Sequence, residues 1–225
     1  MDLSIIIPVY NYGKYVEEAV ASIYKNKTTY TVQIIIIDDQ STDNSADILT
    51  SIGLQYGTTI IKNSENMGVA ATRNRGLALA AGEYLMCLDA DDYIAGNYIQ
   101  NHLDNLRSSN CDVSYGDIQY FGGQDSRIQM PQFSAEKLYT TNIVPGSSVF
   151  SRKVFISTGG YPAGLTGWED YDFWLTALEA GATFKHCLDA LLYYRRHTGS
   201  MITECDKNRT WLLEELKRRH PACII

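Results

Sequence analysis

The chain has little of what several common architectures require. Its five cysteines (Cys87, Cys111, Cys187, Cys205 and Cys223) include no CxxC pair, and an odd count suits no disulfide framework, so a reducing cytoplasm is expected. No GxG occurs anywhere, which removes the phosphate loop of a nucleotide-dependent oxidoreductase. Gly13-Lys14 lacks both the upstream glycine and the following Ser or Thr of a P-loop. No apolar stretch approaches about 18 residues and Met1-Asp2-Leu3-Ser4 carries no basic run, so neither a membrane span nor a signal peptide is expected. Lys and Arg dominate no long segment and the net charge is -7, which argues against a nucleic-acid partner. Without repeat, low-complexity tract or linker, 225 residues read as one domain with a substantial core.

What is present begins with alternation. Strand signals at Leu3–Val9, Val32–Ile37, Thr59–Ile61 and Glu83–Leu88 alternate with helical spacing over Tyr15–Asn26, Ser45–Gln55 and Val69–Ala81. Strands that are apolar throughout and separated by helices predict an α/β fold whose mostly parallel central sheet is flanked by helices. Glu17 and Glu18 fall in the first turn of the first helix, Ser41 or Asp43 caps the second, and Gly82 closes the third. The second half is less regular. It predicts a helix over Asn97–Arg107, a strand over Val113–Phe121 and a mobile loop over Gly122–Phe133. A short apolar stretch (Gly146–Phe150), a helix opening at Gly167-Trp168 and running to about Glu179, a strand over Ala182–Tyr194 and a charged helix from about Lys207 to Arg219 follow.

The apolar run Leu85-Met86-Cys87-Leu88 ends in Asp89-Ala90-Asp91-Asp92. Parallel sheets bind ligands at the carboxyl ends of their strands, and carboxylates this close repel one another unless a cation sits among them. A solvated acidic loop is the plainer reading of an isolated cluster. Here Tyr10-Asn11 and Asp38-Asp39 also end strands, and right-handed crossovers bring all three ends to one rim. That predicts a ligand crevice holding a divalent metal. Asp38 and Asp39 point to opposite faces if the strand continues through them, so one enters the pocket and the other is a loop or cap residue. Asp89 and Asp91, two apart, fall on one side of an extended segment. Asn66 to Asn74 leads into a helix whose free N–H groups can face a diphosphate, with Gly68 allowing close approach. Arg73 either reaches that ligand or pairs with a neighbouring carboxylate.

Six segments together resemble the family 2 glycosyltransferases. They are Ser4-Ile5-Ile6-Ile7-Pro8-Val9-Tyr10-Asn11, Ile36-Ile37-Asp38-Asp39-Gln40-Ser41-Thr42-Asp43, Asn66-Met67-Gly68-Val69-Ala70-Ala71-Thr72-Arg73-Asn74, Asp89-Ala90-Asp91-Asp92, Trp168-Glu169-Asp170 and Arg195-Arg196-His197. The resemblance implies a single GT-A domain over 1–225. Residues 1–92 form its nucleotide-binding half, 93–200 its acceptor and catalytic half, and 201–225 a C-terminal helix. It implies an inverting, metal-dependent transfer from a nucleotide-diphosphate sugar, a UDP-sugar above others, to a glycan or lipid-linked hydroxyl. It also implies that Pro8, Tyr10, Asn11 and Asp39 hold the nucleoside, that Asn66, Gly68 and Arg73 line the diphosphate, and that Asp89 and Asp91 form the DxD. His197, in a late loop reaching Met201, completes the shell of Mn2+ or Mg2+, the imidazole favouring manganese. Arg195 or Arg196 adds a phosphate contact, with Arg196 preferred. Asp170 is the general base, with Asp172 below it; Glu169 orients the acceptor and Trp168 offers a flat face to a sugar ring. Gln40 departs from the family's usual glycine. A non-catalytic sugar-nucleotide binder and a sugar nucleotidyltransferase remain as alternatives. The expected place is the cytoplasm, with peripheral association at the inner membrane face.

Overall fold

The computed structural model describes residues 1–197 and 208–224. In chain order the elements are β1 (Leu3–Val9), α1 (Gly13–Tyr24), β2 (Val32–Asp38), α2 (Ser45–Tyr56), β3 (Thr59–Lys62), α3 (Val69–Leu79), β4 (Tyr84–Cys87), β5 (Tyr93–Ile94), α4 (Tyr98–Ser109), β6 (Val113–Gly122), β7 (Ser126–Ile128), α5 (Ala135–Thr140), β8 (Val149–Ser151), α6 (Arg152–Thr158), α7 (Glu169–Glu179), β9 (Phe184–Arg196) and α8 (Arg209–Arg219). The described strands form one sheet ordered β3-β2-β1-β4-β8-β6-β9-β5, with β7 paired to β6. β1 to β4 are mutually parallel, Ile5 lying opposite both Ile34 and Met86. β8 runs antiparallel between β4 and β6, so β6 and its parallel neighbour β9 again point with β1. The sheet is mostly parallel, as the uniformly apolar strands predict.

Both faces of that sheet are covered, which is why the strands show no polar alternation. Ile5, Ile7, Ile36 and Met86 pack toward Val16 and Val20 of α1, Leu49 of α2 and Leu103 of α4. Ile6, Ile35, Ile37 and Leu85 pack toward Leu77 of α3, Phe173 and Trp174 of α7 and Leu216 of α8. α3 lies unusually close to β1: a Cβ at Gly76 would stand 2.5 Å from the Ile6 side chain.

Several local expectations need correction. α1 begins at Gly13, so Glu17 and Glu18 sit in its second turn rather than the first. The N-cap position of α2 is Asn44, which makes no side-chain cap hydrogen bond, and neither Ser41 nor Asp43 occupies it. Asp43, one residue earlier, accepts the Ser45 N–H at 2.9 Å on Oδ1 and that of Gly13 on Oδ2, tying two helix starts together. α3 ends at Leu79 with Ala80 already extended, so Gly82 is no helix cap. It serves close approach instead, a Cβ there meeting the Ser4 backbone nitrogen at 2.5 Å. The stretch 122–133 is not one loop, because β7 folds back and pairs Ile128 with Ile118. α8 begins at Arg209, and positions 198–207 lie outside the described residues. Gln40 adopts a left-handed conformation, with φ 63°. That conformation costs a side-chain-bearing residue roughly 1–2 kcal/mol.

Candidate active site

The carboxyl ends of β1, β2 and β4, the first turns of α3 and α7 and the end of β9 enclose a crevice of about 1010 Å³. Of the site residues expected from sequence, all but Arg196 line it.

One end is a wall of Pro8, Tyr10, Asn11, Asp39 and Met67, where the sequence led us to expect the nucleoside. Asn11 adopts φ 59°, which asparagine tolerates better than most residues. Its Oδ1 accepts the N–H groups of Thr42 and Asp43, and its own N–H donates to Ser41 Oγ, so its carboxamide oxygen is spent holding the 41–43 loop. Asp38 is the turn residue of the pair, accepting the Ser41 N–H at 2.8 Å and facing Lys62 at 3.6 Å. Asp39 faces the crevice. Its Oδ1 takes Asn63 Nδ2 and the Met67 N–H, and its Oδ2 takes the Gly68 N–H at 2.9 Å. Of roughly four carboxylate lone-pair sites, one on Oδ2 is left for a ligand donor. Asp39 thereby clamps the loop that opens α3, while Asn66 Oδ1 shares the Gly68 N–H at 3.2 Å. By helix geometry the next N–H groups, of Val69, Ala70 and Ala71, have no partner within α3, and all three residues line the crevice.

The acidic turn lies in the middle. The Asp92 N–H donates to the Asp89 carbonyl at 3.1 Å, closing a turn, so Asp89 and Asp91 diverge instead of sharing one side of an extended segment. Asp89 meets Arg73 Nη2 at 2.5 Å, and Asp91 meets His197 Nε2 at 3.1 Å. Asp92 is buried and accepts the Arg195 N–H at 2.9 Å. Burial raises the Asp91 carboxyl, Asp89 adds to it and His197 opposes. Asp92 is pushed well above the carboxylate range by burial, then by Asp91 and Asp89. Tyr12 and Tyr194, both on the crevice wall, are likewise raised by burial and then by these aspartates. The charged forms of these carboxyls are thus disfavoured, first by burial and then by one another.

Among the described residues no three His, Cys, Asp or Glu side chains form a ready-made metal cage. The donor set still suits a divalent cation. The Asp91–His197 separation of 3.1 Å is about that of adjacent ligand atoms around an octahedral ion with bonds near 2.1 Å. A cation there would also favour the charged forms of those carboxyls.

Arg73 joins this turn to the far end. Its guanidinium is buried, with Nη1 2.7 Å from Glu169 and Nη2 on Asp89. Burial opposes its charge, but Asp89 and Glu169 outweigh it and hold its pKa well above the ordinary value. Of the two readings of Arg73, the carboxylate partner is the one the structure shows. Glu169 is equally committed, giving Oε1 to Arg73 and Oε2 to the Gly167 N–H. It positions rather than presents. Asp170 opens into the crevice, held by Asn142 Nδ2 at 3.2 Å and the Tyr171 N–H at 2.7 Å. Burial and then Glu169 push its carboxyl up, against Arg73, to about 7. Asp172 is removed as a rival base: it is buried outside the crevice between Arg219 and His220, at 2.6 Å from each. Trp168 lines the crevice, with the Arg209 guanidinium 5.8 Å over its ring.

Arg196 is not brought to the site. Its guanidinium stands 5.3 Å over the Tyr120 ring, and Arg195 Nε donates to the Asp91 carbonyl at 2.8 Å. The loop expected to follow His197, Thr198 to Met201, lies outside the described residues. Sequence reasoning missed Tyr12, Tyr15, Tyr194, Asn142 and Arg209. The tyrosines left a signal, since Tyr10, Tyr12 and Tyr15 follow β1 within six positions, and Tyr12 and Tyr15 rings stand 6.0 and 5.2 Å from that of His197. Asn142 and Arg209 left none.

With this geometry in place, comparison with known proteins is decisive. The profile described as Glycosyl transferase family 2 matches residues 4–163. The chain belongs to glycosyl transferase family 2. The family 2 domain is 32% identical over 162 residues to the glycosyltransferase GlyG of Streptococcus pneumoniae, covering 68% of this chain and 54% of GlyG. It is 31% identical over 209 residues to WfaP of Escherichia coli, named a UDP-Glc:alpha-D-GlcNAc-diphosphoundecaprenol beta-1,3-glucosyltransferase, covering 88% of this chain and 79% of WfaP. The chain thus spans about half the length of GlyG. Residues 1–349 of Staphylococcus aureus TarS, in complex with UDP-GlcNAc, superpose with a TM-score of 0.81 at 18% identity over 100% of this chain and 68% of that one. That likeness gives the GT-A fold.

Proposed function

We propose that this glycosyltransferase domain moves a sugar, with inversion, from a nucleotide-diphosphate donor to an acceptor hydroxyl in glycan synthesis. The observation that carries the reading is that Asp170 and the Asp91–His197 pair open into one crevice with the nucleoside wall. The acceptor hydroxyl hydrogen-bonds to Asp170, which takes its proton as the oxygen attacks the anomeric carbon. The bond from that carbon to the diphosphate oxygen breaks on the opposite face, so no covalent glycosyl intermediate is needed. A base near pKa 7 accepts that proton efficiently at neutral pH. Asp91 and His197 would hold a divalent metal, manganese before magnesium because of the imidazole, with Asp89 directed to the ribose or to the metal through water. Bound there, the ion supplies positive charge for the departing diphosphate. Asp39 Oδ2 receives an N–H or O–H of the nucleoside, and the first turn of α3 receives the diphosphate.

WfaP's named donor supports a UDP-sugar, and its named acceptor supports a lipid-linked glycan reached at the inner membrane face. Among the described residues no helix is long and apolar enough to cross a membrane. A thermal-shift panel of nucleotide sugars with and without manganese tests the reading. Stabilisation by UDP-sugars that needs manganese is expected, and equal stabilisation in excess chelator would overturn the metal assignment.

A further inference from the structure

Three Lys or Arg side chains line the crevice, and they differ in what they face. Lys14 stands 4.5 Å over the Tyr15 ring, which lies 5.2 Å from the His197 ring. Arg73 is neutralised by Asp89 and Glu169. Arg209 makes no hydrogen bond or ion pair among the described residues, and its one described contact is the face of Trp168. Trp168 precedes Asp170 by two residues, so Arg209 stands at the base's end of the crevice and not at the Asp39 end.

The acids at that end are Asp170 itself and Glu169, which is tied to Arg73, with the acidic turn Asp89–Asp92 farther along the crevice. An anionic acceptor approaching Asp170 would be repelled unless a cation received its charge beyond the base. Arg209 occupies that place. A guanidinium resting on an aromatic face keeps its in-plane N–H fork for bidentate contact with a carboxylate or phosphate. Arg209 also opens α8, where Leu212 N–H to Asn208 carbonyl begins the helical ladder, so the N–H groups of the first turn point the same sign of charge outward. Both Trp168 and Arg209 lie beyond the stretch 4–163 matched by the family profile, in the part of the chain where acceptor choice can vary independently of the donor cradle.

We propose that Arg209, seated on Trp168, reads an oxyanion carried by the acceptor beside its attacking hydroxyl, making this a transferase for phosphorylated or carboxylated glycan acceptors. The inference rests on the proposed transfer reaction, but its test is a binding measurement and does not depend on turnover. The full chain is titrated calorimetrically with glucose, glucose 1-phosphate, glucuronate and inorganic phosphate. Each titration is run with saturating UDP and manganese, so that the nucleotide occupies the metal, and again without UDP in chelator, so that no metal offers a rival anion site. With UDP present, at least one of the two charged sugars is expected to bind roughly ten-fold or more tightly than glucose, the size of one charge-assisted contact. The stronger of the two identifies phosphate or carboxylate as the source. Arg209→Ala is expected to erase the preference and Arg209→Lys to keep part of it, with UDP affinity unchanged in both. A wild type indifferent to charge, a preference that survives Arg209→Ala, or a loss of UDP affinity in Arg209→Ala would each overturn the proposal. Failure of UDP itself to bind would strike the donor reading, leaving the titrations without UDP to decide this one.

Discussion

The stretch up to Asp92 and the stretch after it build the crevice by different means. In the first, the parallel strands β1, β2 and β4, buried on both faces, end together, and backbone groups at those ends form the cradle: the Asp39-clamped loop, the first turn of α3 and the acidic turn. In the second, β8 runs against its neighbours, two of the helices have only six and seven residues, and function hangs on single side-chain contacts such as Asn142 on Asp170. Regular backbone suits a ligand common to a whole family. Individually placed side chains suit an acceptor that differs between members. Arg73 is the strap between the two, bonded to Asp89 on one side and Glu169 on the other.

The sharpest way to separate the two regions is to disable each and see which quantity falls. Asp170→Asn is expected to lower turnover by about 10²–10⁴-fold, with UDP affinity by calorimetry unchanged. Unchanged transfer would remove Asp170 as the base. Asp91→Ala is expected to act on the other region, weakening manganese-dependent donor binding by roughly 10–100-fold, with little effect on whatever binds without metal. Chelation of the wild type should reproduce that loss, and manganese should reverse it better than magnesium.

A smaller effect tests the electrostatics across the strap. Asp170 must be deprotonated to accept a proton, so turnover should rise with pH through about 7 and be lost below it. Glu169 is the largest charge raising that carboxyl, so Glu169→Gln is expected to move the half-maximum to lower pH; a shift upward, or none, would show that the two acids do not communicate. The smallest effect belongs to the first region alone. Gln40→Gly relieves a left-handed residue but adds freedom to the unfolded chain, for a net stabilisation of under about 1 kcal/mol in denaturant melts.

The parallel half was legible because each strand is an unbroken apolar run and each helix spans three turns. The features that escaped are short or side-chain-specific. β5 has two residues and β7 three, too few to show a period. α5 and α6 are likewise too brief for a helical stripe. The spacing of Asp89 and Asp91 suggested a shared side because an extended backbone was assumed, whereas the Asp92-to-Asp89 hydrogen bond turns the chain and sends one to Arg73 and the other to His197. Arg196 looked like a phosphate ligand by its neighbours in sequence, yet its register opposite Gly122 sets it beside Tyr120. Asp170 over Asp172 was a matter of motif, and the structure gives the reason: Asp172 is consumed by Arg219 and His220.

Gly76 sits one helical turn after Arg73, pressed against Ile6 where a Cβ would stand only 2.5 Å away. The missing methyl acts as a spacer of zero thickness. It fixes how far the guanidinium at 73 projects past the sheet, and with it the span between the two acids that the guanidinium bridges. The dimensions of the reaction chamber are thus set by a residue that touches nothing inside it.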